Sequence, residues 1–304
     1  MPKTICISLL CFLFLIAYPF KNKTESSPII NTLPVQTVSE KKPIGNNEYE
    51  EKKFQQIMNL SLANKLQEQS IEIILQTVAK EFMGAKYQAG LLDQTNKESL
   101  FISLTKFDCV LFVETVLGLV KGITVQDYNY STFITNIQKQ RYRTQNVTYC
   151  DRLHYFSDWI AENEKKGFVK NLTQSLGGIR LDKQLNFMTV NRSKYPQLNN
   201  NEINFQCIKK VEADLNKLNL SYIPTNKIKS IYPQLKLGDI IGITTKIKGL
   251  DVTHTGLIYR QNNQTGLIHA SPAGQVTVAK DLQSYVQNVP QAIGIFVIRP
   301  LDPR

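Results

Sequence analysis

Histidine and tryptophan are scarce in this sequence of 304 residues, which contains three histidines and one tryptophan. With so few histidines, the chain offers few ligands for a metal site. Cys150 and His154 have a spacing that zinc sites use, but the second half of such a site is missing. After about residue 20 no apolar run is long enough to span a bilayer. We therefore expect a soluble body without a bound metal.

Acidic residues are fewer than basic ones, 25 against 36, which gives a net charge of +11. A basic excess of this kind is compatible with an anionic partner such as nucleic acid, an acidic membrane or a carboxylate-bearing polymer. The lysines and arginines occur in scattered pairs, however, without an aromatic-interleaved stripe. We expect a solvated basic surface and no nucleic-acid partner.

The long apolar run of this chain lies at its start, in MPKTICISLLCFLFLIAYPF. A lysine followed by apolar residues from Ile5 to about Tyr18 predicts a secretory signal over residues 1–20. No clean small-x-small cleavage site follows, so a retained membrane anchor is the alternative, and Leu10 disfavours a lipid at Cys11. We expect export to the periplasm or cell envelope.

The rest of the chain divides by its pattern into a linker and one domain. Residues 21–47 are polar, contain three prolines and predict a flexible linker. Residues 48–304 predict one domain, with helical spacing of apolar residues over about 48–230 and short β runs over about 235–300. Helices followed by an antiparallel sheet or half-barrel indicate an α+β fold.

The cysteine count indicates one disulfide. Removal of a signal leaves Cys109, Cys150 and Cys207, and an odd number in an oxidising compartment leaves one thiol over. We expect Cys150 to pair with Cys207 and Cys109 to remain the titratable thiol.

Cys109 lies in the stretch KFDCVLFVETVLGLV, where a helix is predicted to begin. Thr105 and Asp108 are candidate N-caps, which places Cys109 in or just before the first turn. The amides and dipole at a helix start favour a thiolate and could hold an oxyanion. The alternative is a small buried side chain without a chemical role.

Two of the three histidines lie in neighbouring β runs, His254 in LDVTHTGLIYR and His269 in TGLIHASPAG. The polar stretch QNNQTG between them predicts a hairpin turn. Direct pairing of the two histidines would centre that turn between residues 261 and 262 and place both imidazoles on one side of the hairpin. A thiolate needs such a base and orienting group. Two half-buried strand histidines with ordinary hydrogen bonds are the alternative.

A helix-borne cysteine followed by two strand-borne histidines is the chain order of papain-like cysteine peptidases. The sequence resembles their NlpC-type branch in Asp108-Cys109, His254-Thr255-Gly256 and His269-Ala270-Ser271. It resembles more closely the N-acetylmuramoyl-L-alanine amidase-like family, over about residues 70–300, in blocks such as FMGAKYQAGLLD, FDCVLFVE and DRLHYFSDWI. It departs from these patterns at Lys86, where the family usually has proline, and at Val110, where the wider superfamily has serine.

The resemblance implies a papain-like fold and a peptidoglycan or muropeptide hydrolase that needs no metal, organic cofactor or stable protein partner. Cys109 would be the nucleophile, His254 the base and His269 its orienter, with the Tyr87 hydroxyl as an oxyanion donor. Asp108 either caps the helix or binds a substrate amine. The expected bond is the amide between N-acetylmuramic acid and L-alanine. The alternatives are a stem-peptide endopeptidase and a non-catalytic muropeptide-binding protein.

Weaker candidates for substrate binding lie in DRLHYFSDWI, where Arg152, His154, Asp158 and Trp159 form a polar and aromatic group. These side chains could recognise a sugar or a peptide carboxylate. The alternative is a helix start with Trp159 in the core. Asp251, close to His254 in sequence, is expected to be a loop residue and not a catalytic one.

Overall fold

The computed structural model describes residues 48–95 and 97–304. The signal or anchor predicted for residues 1–20 and the linker predicted for residues 21–47 lie outside the described residues.

The helices gather mainly in the first two thirds of the described chain. The α-helices are α1 (Glu48–Ala63), α2 (Ile71–Lys80), α3 (Cys109–Thr124), α4 (Tyr130–Arg141), α5 (Phe156–Lys165), α6 (Phe187–Val190), α7 (Pro196–Asn199), α8 (Glu202–Leu215) and α9 (Leu282–Asn288). Short 3₁₀ segments are Leu66–Glu68, Leu91–Asp93, Arg192–Lys194 and Thr225–Gln234.

Helix α3 is buried on almost every side, because its sequence CVLFVETVLGLVKGIT is apolar around most of its circumference. Small residues let its neighbours approach closely. A Cβ atom added at Gly118 would lie 2.9 Å from Ile137 Cδ1 on α4. The helix that begins at Cys109 is therefore held rigidly in the core.

The strands form one large antiparallel sheet and one short parallel pair. They are β1 (Lys86–Tyr87), β2 (Lys106–Phe107), β3 (Val169–Asn171), β4 (Ile179–Arg180), β5 (Ser221–Pro224), β6 (Ile240–Thr245), β7 (Val252–Gln261), β8 (Gln264–Ala270), β9 (Val276–Ala279) and β10 (Ala292–Pro300). The sheet order is β4-β5-β10-β6-β7-β8-β9, and β3 pairs with β10. Strands β1 and β2 pair in parallel, apart from this sheet.

The sheet buries both faces, and the alternation of side chains along each strand separates two cores. Ile240 and Leu257 belong to the larger core with the N-terminal helices. Their neighbours Ile241 and Ile258 belong to a smaller core that includes Leu282 of α9. The sequences of these strands are therefore nearly continuous apolar runs, which is typical of strands in a sheet covered on both faces.

The α+β class predicted from the sequence is confirmed, because the described chain has its helices mostly first and an antiparallel sheet afterwards. Two details differ from the expected division into helical and β parts. Strands β1 to β5 lie within residues 48–230, and α9 lies within residues 235–300. Strands of two to four residues are too short to show a period of two in the sequence.

Residues 181–218, which we call the helical arm, contain α6, α7 and α8. The arm packs through a third core that includes Phe187, Ile208 and Leu215. A disulfide joins Cys207 of α8 to Cys150, with 5.9 Å between their Cα atoms, so the predicted pairing is confirmed. No helix within residues 48–95 and 97–304 is long and apolar enough to cross a membrane.

Candidate active site

Cys109 is the first residue of α3, and Asp108 is the N-cap. Asp108 Oδ1 accepts hydrogen bonds from the amides of Val110 at 3.0 Å and Leu111 at 2.8 Å. The two capped amides follow the amide of Cys109, which stands at the positive end of the helix. Of the two N-cap candidates, the structure selects Asp108, and Cys109 lies at a helix start as predicted.

Asp108 is buried, and its second oxygen Oδ2 has no hydrogen-bond partner among the described residues. Burial raises the pKa of this carboxyl to about 6, against the opposing hydrogen bond from Leu111, and the nearby Glu114 carboxylate raises it further. The structure thus assigns one oxygen of Asp108 to capping and leaves the other available for a donor.

Tyr87 lies beside the strand that leads into Cys109. Strand β1 pairs in parallel with β2, which places Tyr87 opposite Phe107. The Tyr87 amide donates to the Gly274 carbonyl at 2.8 Å, and the Gln88 amide donates to the Phe107 carbonyl at 2.8 Å. Tyr87 is thereby fixed between the segment before α3 and the loop that follows β8.

The predicted hairpin is present, but its register differs by two residues from direct pairing of the histidines. Gln261 pairs with Gln264, so the turn consists of Asn262 and Asn263, both with positive φ, as in a type I′ turn. The paired residues run from Gln261 opposite Gln264 to Leu257 opposite Ile268, and the next position in this register places Gly256 opposite His269. Because side chains alternate with a period of two, a two-residue slip keeps His254 on the same face as His269.

Gly256 is required by this arrangement. A Cβ atom at this position would lie 2.9 Å from His269 Cβ and 2.8 Å from the Ile268 carbonyl oxygen. The glycine of the His254-Thr255-Gly256 motif therefore leaves the space in which the two imidazoles meet diagonally across the hairpin.

The two imidazoles are in direct contact. His254 Nε2 lies 2.7 Å from His269 Nδ1, and both side chains are buried. His254 Nδ1 has no hydrogen-bond partner among the described residues. His254 therefore has one ring nitrogen oriented by His269 and the other available, which is the arrangement of a base with an orienting group.

Burial keeps both histidines neutral at neutral pH. It lowers the pKa of His269 to about 4 and, together with the adjacent His269, lowers the pKa of His254 well below its usual range. A neutral imidazole can accept a proton, whereas an imidazolium cannot.

The histidine hairpin packs directly against the start of α3. The Thr255 hydroxyl donates to the carbonyl oxygen of Cys109 at 3.0 Å, which ties the residue after His254 to the predicted nucleophile. The structure therefore brings Cys109, His254 and His269 together at the junction of α3, β7 and β8.

The structure differs from the sequence-based expectation for the Cys109 thiol. Cys109 is disulfide-bonded in the structure, whereas the odd cysteine count predicted a titratable thiol. A nucleophilic role requires the reduced form.

Tyr285 of α9 joins the histidine pair and was not identified from the sequence. Its hydroxyl lies 3.4 Å from His269 Nδ1, and its ring centroid lies 4.7 Å from that of His269. Burial raises the pKa of Tyr285, so the hydroxyl keeps its proton. No local motif surrounds it, since the segment DLQSYVQN reads only as a short capped helix.

Arg152 and Asp158, which were candidates for substrate recognition, are engaged in ion pairs. Arg152 Nη2 lies 2.5 Å from Asp93 Oδ1, and its Nε lies 3.6 Å from Glu98 Oε1. Asp158 Oδ2 lies 2.6 Å from Arg143 Nη2. Burial raises the pKa of Asp158 to about 6, against the effect of Arg143.

Trp159 is buried and stacks on Phe156 with 5.3 Å between ring centroids. Its Nε1 donates to Glu114 Oε1 at 3.2 Å, and Glu114 Oε2 pairs with Arg141 Nε at 2.8 Å. The indole therefore lies in the core beside α3, which corresponds to the structural alternative for this residue.

The remaining polar candidates are held by structural contacts. His154 Nε2 bonds the Tyr149 carbonyl at 2.7 Å, and Cys150 is in the disulfide. Asp251 Oδ2 accepts from the Ser157 amide at 2.7 Å, at the start of α5. Within residues 48–95 and 97–304 no group of three or more Cys, His, Asp or Glu residues could hold a metal ion.

Comparison with known proteins identifies the family of this chain. Residues 77–295 match the model of a family described as N-acetylmuramoyl-L-alanine amidase-like. The chain belongs to the N-acetylmuramoyl-L-alanine amidase-like family. The matched range contains Tyr87, Cys109, His254 and His269. A search of curated proteins found no match to this amidase-like protein.

Solved structures resemble the amidase-like protein over most of its length. An N-acetylmuramoyl-L-alanine amidase from Bacteroides uniformis is 31% identical, with a TM-score of 0.72 over 76% of this chain and 99% of that chain. A protein from Bacteroides fragilis named as a putative xylanase is also 31% identical, with a TM-score of 0.68 over 73% of this chain and 99% of that chain. A Legionella pneumophila protein at 21% identity shares the fold, with a TM-score of 0.64 over 84% of this chain and 95% of that chain.

Proposed function

We propose that this amidase-like protein hydrolyses peptidoglycan fragments through Cys109, cutting the amide between N-acetylmuramic acid and L-alanine. The observation that carries the proposal is the buried His254–His269 pair, joined at 2.7 Å and packed against the helix start that carries Cys109. We also infer an NlpC-type, papain-like arrangement, which the cysteine-bearing helix packed on histidine-bearing strands supports.

In the reduced protein, His254 Nδ1 accepts the Cys109 thiol proton while Nε2–H donates to His269 Nδ1. The thiolate attacks the amide carbonyl carbon, and the carbonyl oxygen becomes an oxyanion. The Cys109 amide and the Tyr87 hydroxyl would hold that charge, and one such donor is typically worth about 3 kcal/mol. His254 then returns the proton to the leaving amine, and the C–N bond breaks.

A thioester remains between Cys109 and the acyl part of the substrate. His254 takes a proton from water, the resulting hydroxide attacks the thioester carbonyl, and the C–S bond breaks. The thiolate regains its proton from His254, and a carboxylic acid is released. Every proton in the cycle passes through His254 Nδ1, and the cycle needs no metal or organic cofactor.

Tyr285 acts in this scheme as a positioning residue. Its protonated hydroxyl and His254 Nε2 both approach His269 Nδ1, at 3.4 and 2.7 Å. Two donors that converge on one ring nitrogen favour the tautomer in which that nitrogen is the acceptor. This tautomer of His269 makes His254 carry its proton on Nε2, which leaves Nδ1 basic.

The family description and the Bacteroides uniformis relative support the amide next to the sugar as the bond that is cut. Val110 stands where the wider superfamily has a serine that assists binding of a substrate amine. Asp108 alone would leave a buried ammonium with too few partners, which is costly. This argues against a stem-peptide endopeptidase. The histidine pair oriented beside Cys109 argues against a non-catalytic binder.

We propose that the protein acts outside the cytoplasm, in the periplasm or cell envelope. The signal-like first segment and the confirmed Cys150–Cys207 disulfide support this location, because disulfides persist in oxidising compartments. The proposal requires peptidoglycan fragments as the binding partner. It includes membrane attachment through residues 1–20 as the alternative to a cleaved signal.

Product analysis tests the proposal. We would incubate the reduced protein with a sugar-linked tetrapeptide and identify the products by mass spectrometry, with Cys109→Ala as the matched control. We expect intact tetrapeptide and free sugar from the wild type and no turnover from the variant. A sugar-linked dipeptide would instead establish the endopeptidase alternative. Undiminished hydrolysis by Cys109→Ala would rule out the cysteine mechanism.

A further inference from the structure

The backbone around His254 is held less regularly than the rest of β7. The ladder to β8 ends at Leu257. The ladder to β6 pairs His254 and Val252 with consecutive residues, so Thr253 between them has no opposite residue. Such a β-bulge bends the strand and increases its local twist. The two ladders therefore constrain His254 less than the ladders of a regular strand would.

Thr255, the residue after His254, is tied to α3 by its side chain. Its hydroxyl donates to the Cys109 carbonyl oxygen at 3.0 Å, and both residues are buried. The Val110 amide, in the same peptide group as that carbonyl, donates to Asp108 Oδ1 at 3.0 Å. Because a peptide group is planar, the two bonds hold it at both ends. The Asp108 bond lies within the start of α3, whereas the Thr255 bond joins α3 to β7.

The Thr255 bond acts between the two residues that exchange a proton in the proposed reaction. Cα atoms of consecutive residues are about 3.8 Å apart, so fixing Thr255 also restrains His254. Proton transfer needs its two heavy atoms within about 2.6–3.2 Å of each other. A displacement of about 1 Å can lower a rate about 100-fold. A bond that joins β7 to the Cys109 backbone is therefore placed to control this separation.

We infer that Thr255 is a positioning residue, an inference that rests on the proposed function. In the reduced protein its hydroxyl holds the strand that carries His254 against the helix start that carries Cys109. It touches neither the substrate nor the reacting atoms. Its loss should lower the rate of the chemical step and leave substrate binding unchanged.

Thr253, on the other side of His254, provides a matched control. Its side chain is also buried, and its hydroxyl has no hydrogen-bond partner among the described residues. Valine resembles threonine in shape and lacks the hydroxyl. Thr253→Val therefore makes the same chemical change as Thr255→Val on the same strand, but it removes no hydrogen bond.

The first experiment measures kcat and KM of the reduced variants on a sugar-linked tetrapeptide. We expect Thr255→Val to lower kcat about 5- to 10-fold with KM unchanged, the effect of one lost hydrogen bond. Thr253→Val should keep both constants. Thr255→Ser retains the hydroxyl and should keep kcat within about twofold, whereas Thr255→Ala should lose as much as Thr255→Val. Equal kcat in Thr255→Ser and Thr255→Ala, or an equal loss in Thr253→Val, would overturn the inference.

The second experiment needs no substrate and measures how fast iodoacetamide alkylates reduced Cys109. The thiolate is the reacting form, and His254 promotes it by accepting the thiol proton. Mass spectrometry of the peptide that contains Cys109 follows the reaction. We expect alkylation to slow about 5- to 10-fold in Thr255→Val and to stay unchanged in Thr253→Val and Thr255→Ser. A purely structural role of Thr255 would lower the unfolding temperature and leave this rate unchanged.

The two experiments separate this inference from the proposed function. Slower alkylation of Thr255→Val, with no hydrolysis by the wild type, would contradict the proposed function and support the positioning role. Hydrolysis with the same kcat in the wild type and Thr255→Val would support the proposed function and overturn the positioning role. Thermal unfolding shows that each variant is folded, and the Thr255→Ser and Thr255→Ala pair gives the same comparison with smaller side chains.

Discussion

The proposed catalytic cluster consists of Asp108, Cys109, His254 and His269. It contrasts with the group of Arg152, Asp158 and Trp159 in whether its buried polar atoms have partners. In the catalytic cluster, Asp108 Oδ2 and His254 Nδ1 are buried without a hydrogen-bond partner among the described residues. In the second group, Arg152 Nε also lacks a hydrogen bond, but it lies 3.6 Å from the Glu98 carboxylate. The other charged atoms of this group pair with Asp93 and Arg143, and the indole donates to Glu114. Both groups are buried and polar, so burial alone does not distinguish them.

The difference indicates which buried polar groups are kept for chemistry. An unsatisfied buried polar atom costs about 1–3 kcal/mol, and a substrate that supplies the missing partner recovers this cost. A buried ion pair that is complete within the protein gains nothing from a ligand. We therefore expect substitutions of Cys109, His254 and His269 to lower turnover, replacement of the buried Asp108 carboxylate to raise stability, and substitutions in the second group to lower stability.

The largest expected effect is the loss of the base. His254→Ala should lower kcat about 1000-fold, because proton transfer to and from Cys109 and the leaving amine is lost. His269→Ala should lower kcat roughly 10- to 100-fold, since water can partly replace an orienting group. Steady-state kinetics on a muropeptide measures both. Equal losses in the two variants would show that base and orienter are assigned wrongly.

The second group is tested by Arg152→Met, which leaves Asp93 and Glu98 without their shared cation. We expect the free energy of unfolding to fall by about 3 kcal/mol, measured by urea denaturation, with KM of the folded variant unchanged. Arg180→Met, at an exposed position of β4, serves as the control. A raised KM at unchanged stability would break the comparison and favour Arg152 as a substrate-binding residue.

Asp108→Asn tests the cost of the unpartnered carboxylate oxygen. The folded pKa of Asp108, about 6, lies above its unfolded value of about 3.8, so the wild type loses stability as pH rises through this window. Asparagine still caps a helix and carries no charge. Relative to wild type, the free energy of unfolding of the variant should rise by about 2–3 kcal/mol as the pH increases from 4 to 7.

Urea denaturation at a series of pH values measures this gain, and Asp182→Asn, at an exposed position, is the control. A stability difference that does not change with pH would mean that the Asp108 carboxylate is compensated in the folded protein.

The smallest expected effect concerns Tyr285→Phe, which removes one hydroxyl beside His269 Nδ1. We expect kcat to fall about fivefold with KM unchanged, as for loss of one hydrogen bond of about 1 kcal/mol. A donor to the neutral ring nitrogen disfavours its protonation, so the acidic limb of the pH–rate profile should move to higher pH. Tyr259→Phe, on the strand of His254, is the control. An unchanged pH profile would show that Tyr285 only packs against the rings.

The sequence correctly predicted that His254 and His269 meet on one side of a hairpin and that Cys109 begins a helix, although it misplaced the hairpin register. The cap at Asp108 and the β pattern around His254 and His269 are local signals, and they follow from the preferences of a helix start and of alternating strands. A register error of two residues left the prediction intact, because the side-chain period of a strand is also two. An error of one residue would have separated the imidazoles.

Other residues could not be assigned before the fold was known. Arg152 and Asp158 are polar in a helical block, and nothing local shows that Asp93, Glu98 and Arg143 neutralise them. Tyr285 is separated from His254 by 31 positions and approaches it only because α9 packs beside β8.

The sequence by itself determined the α+β class, the helix start at Cys109, the hairpin that carries both histidines and the Cys150–Cys207 pairing, because each depends on local geometry or on a count of few candidates. Only the tertiary structure decided which buried polar groups are already satisfied and which residues meet around the imidazoles. Those properties depend on contacts between segments far apart in the chain, and local sequence patterns do not contain them.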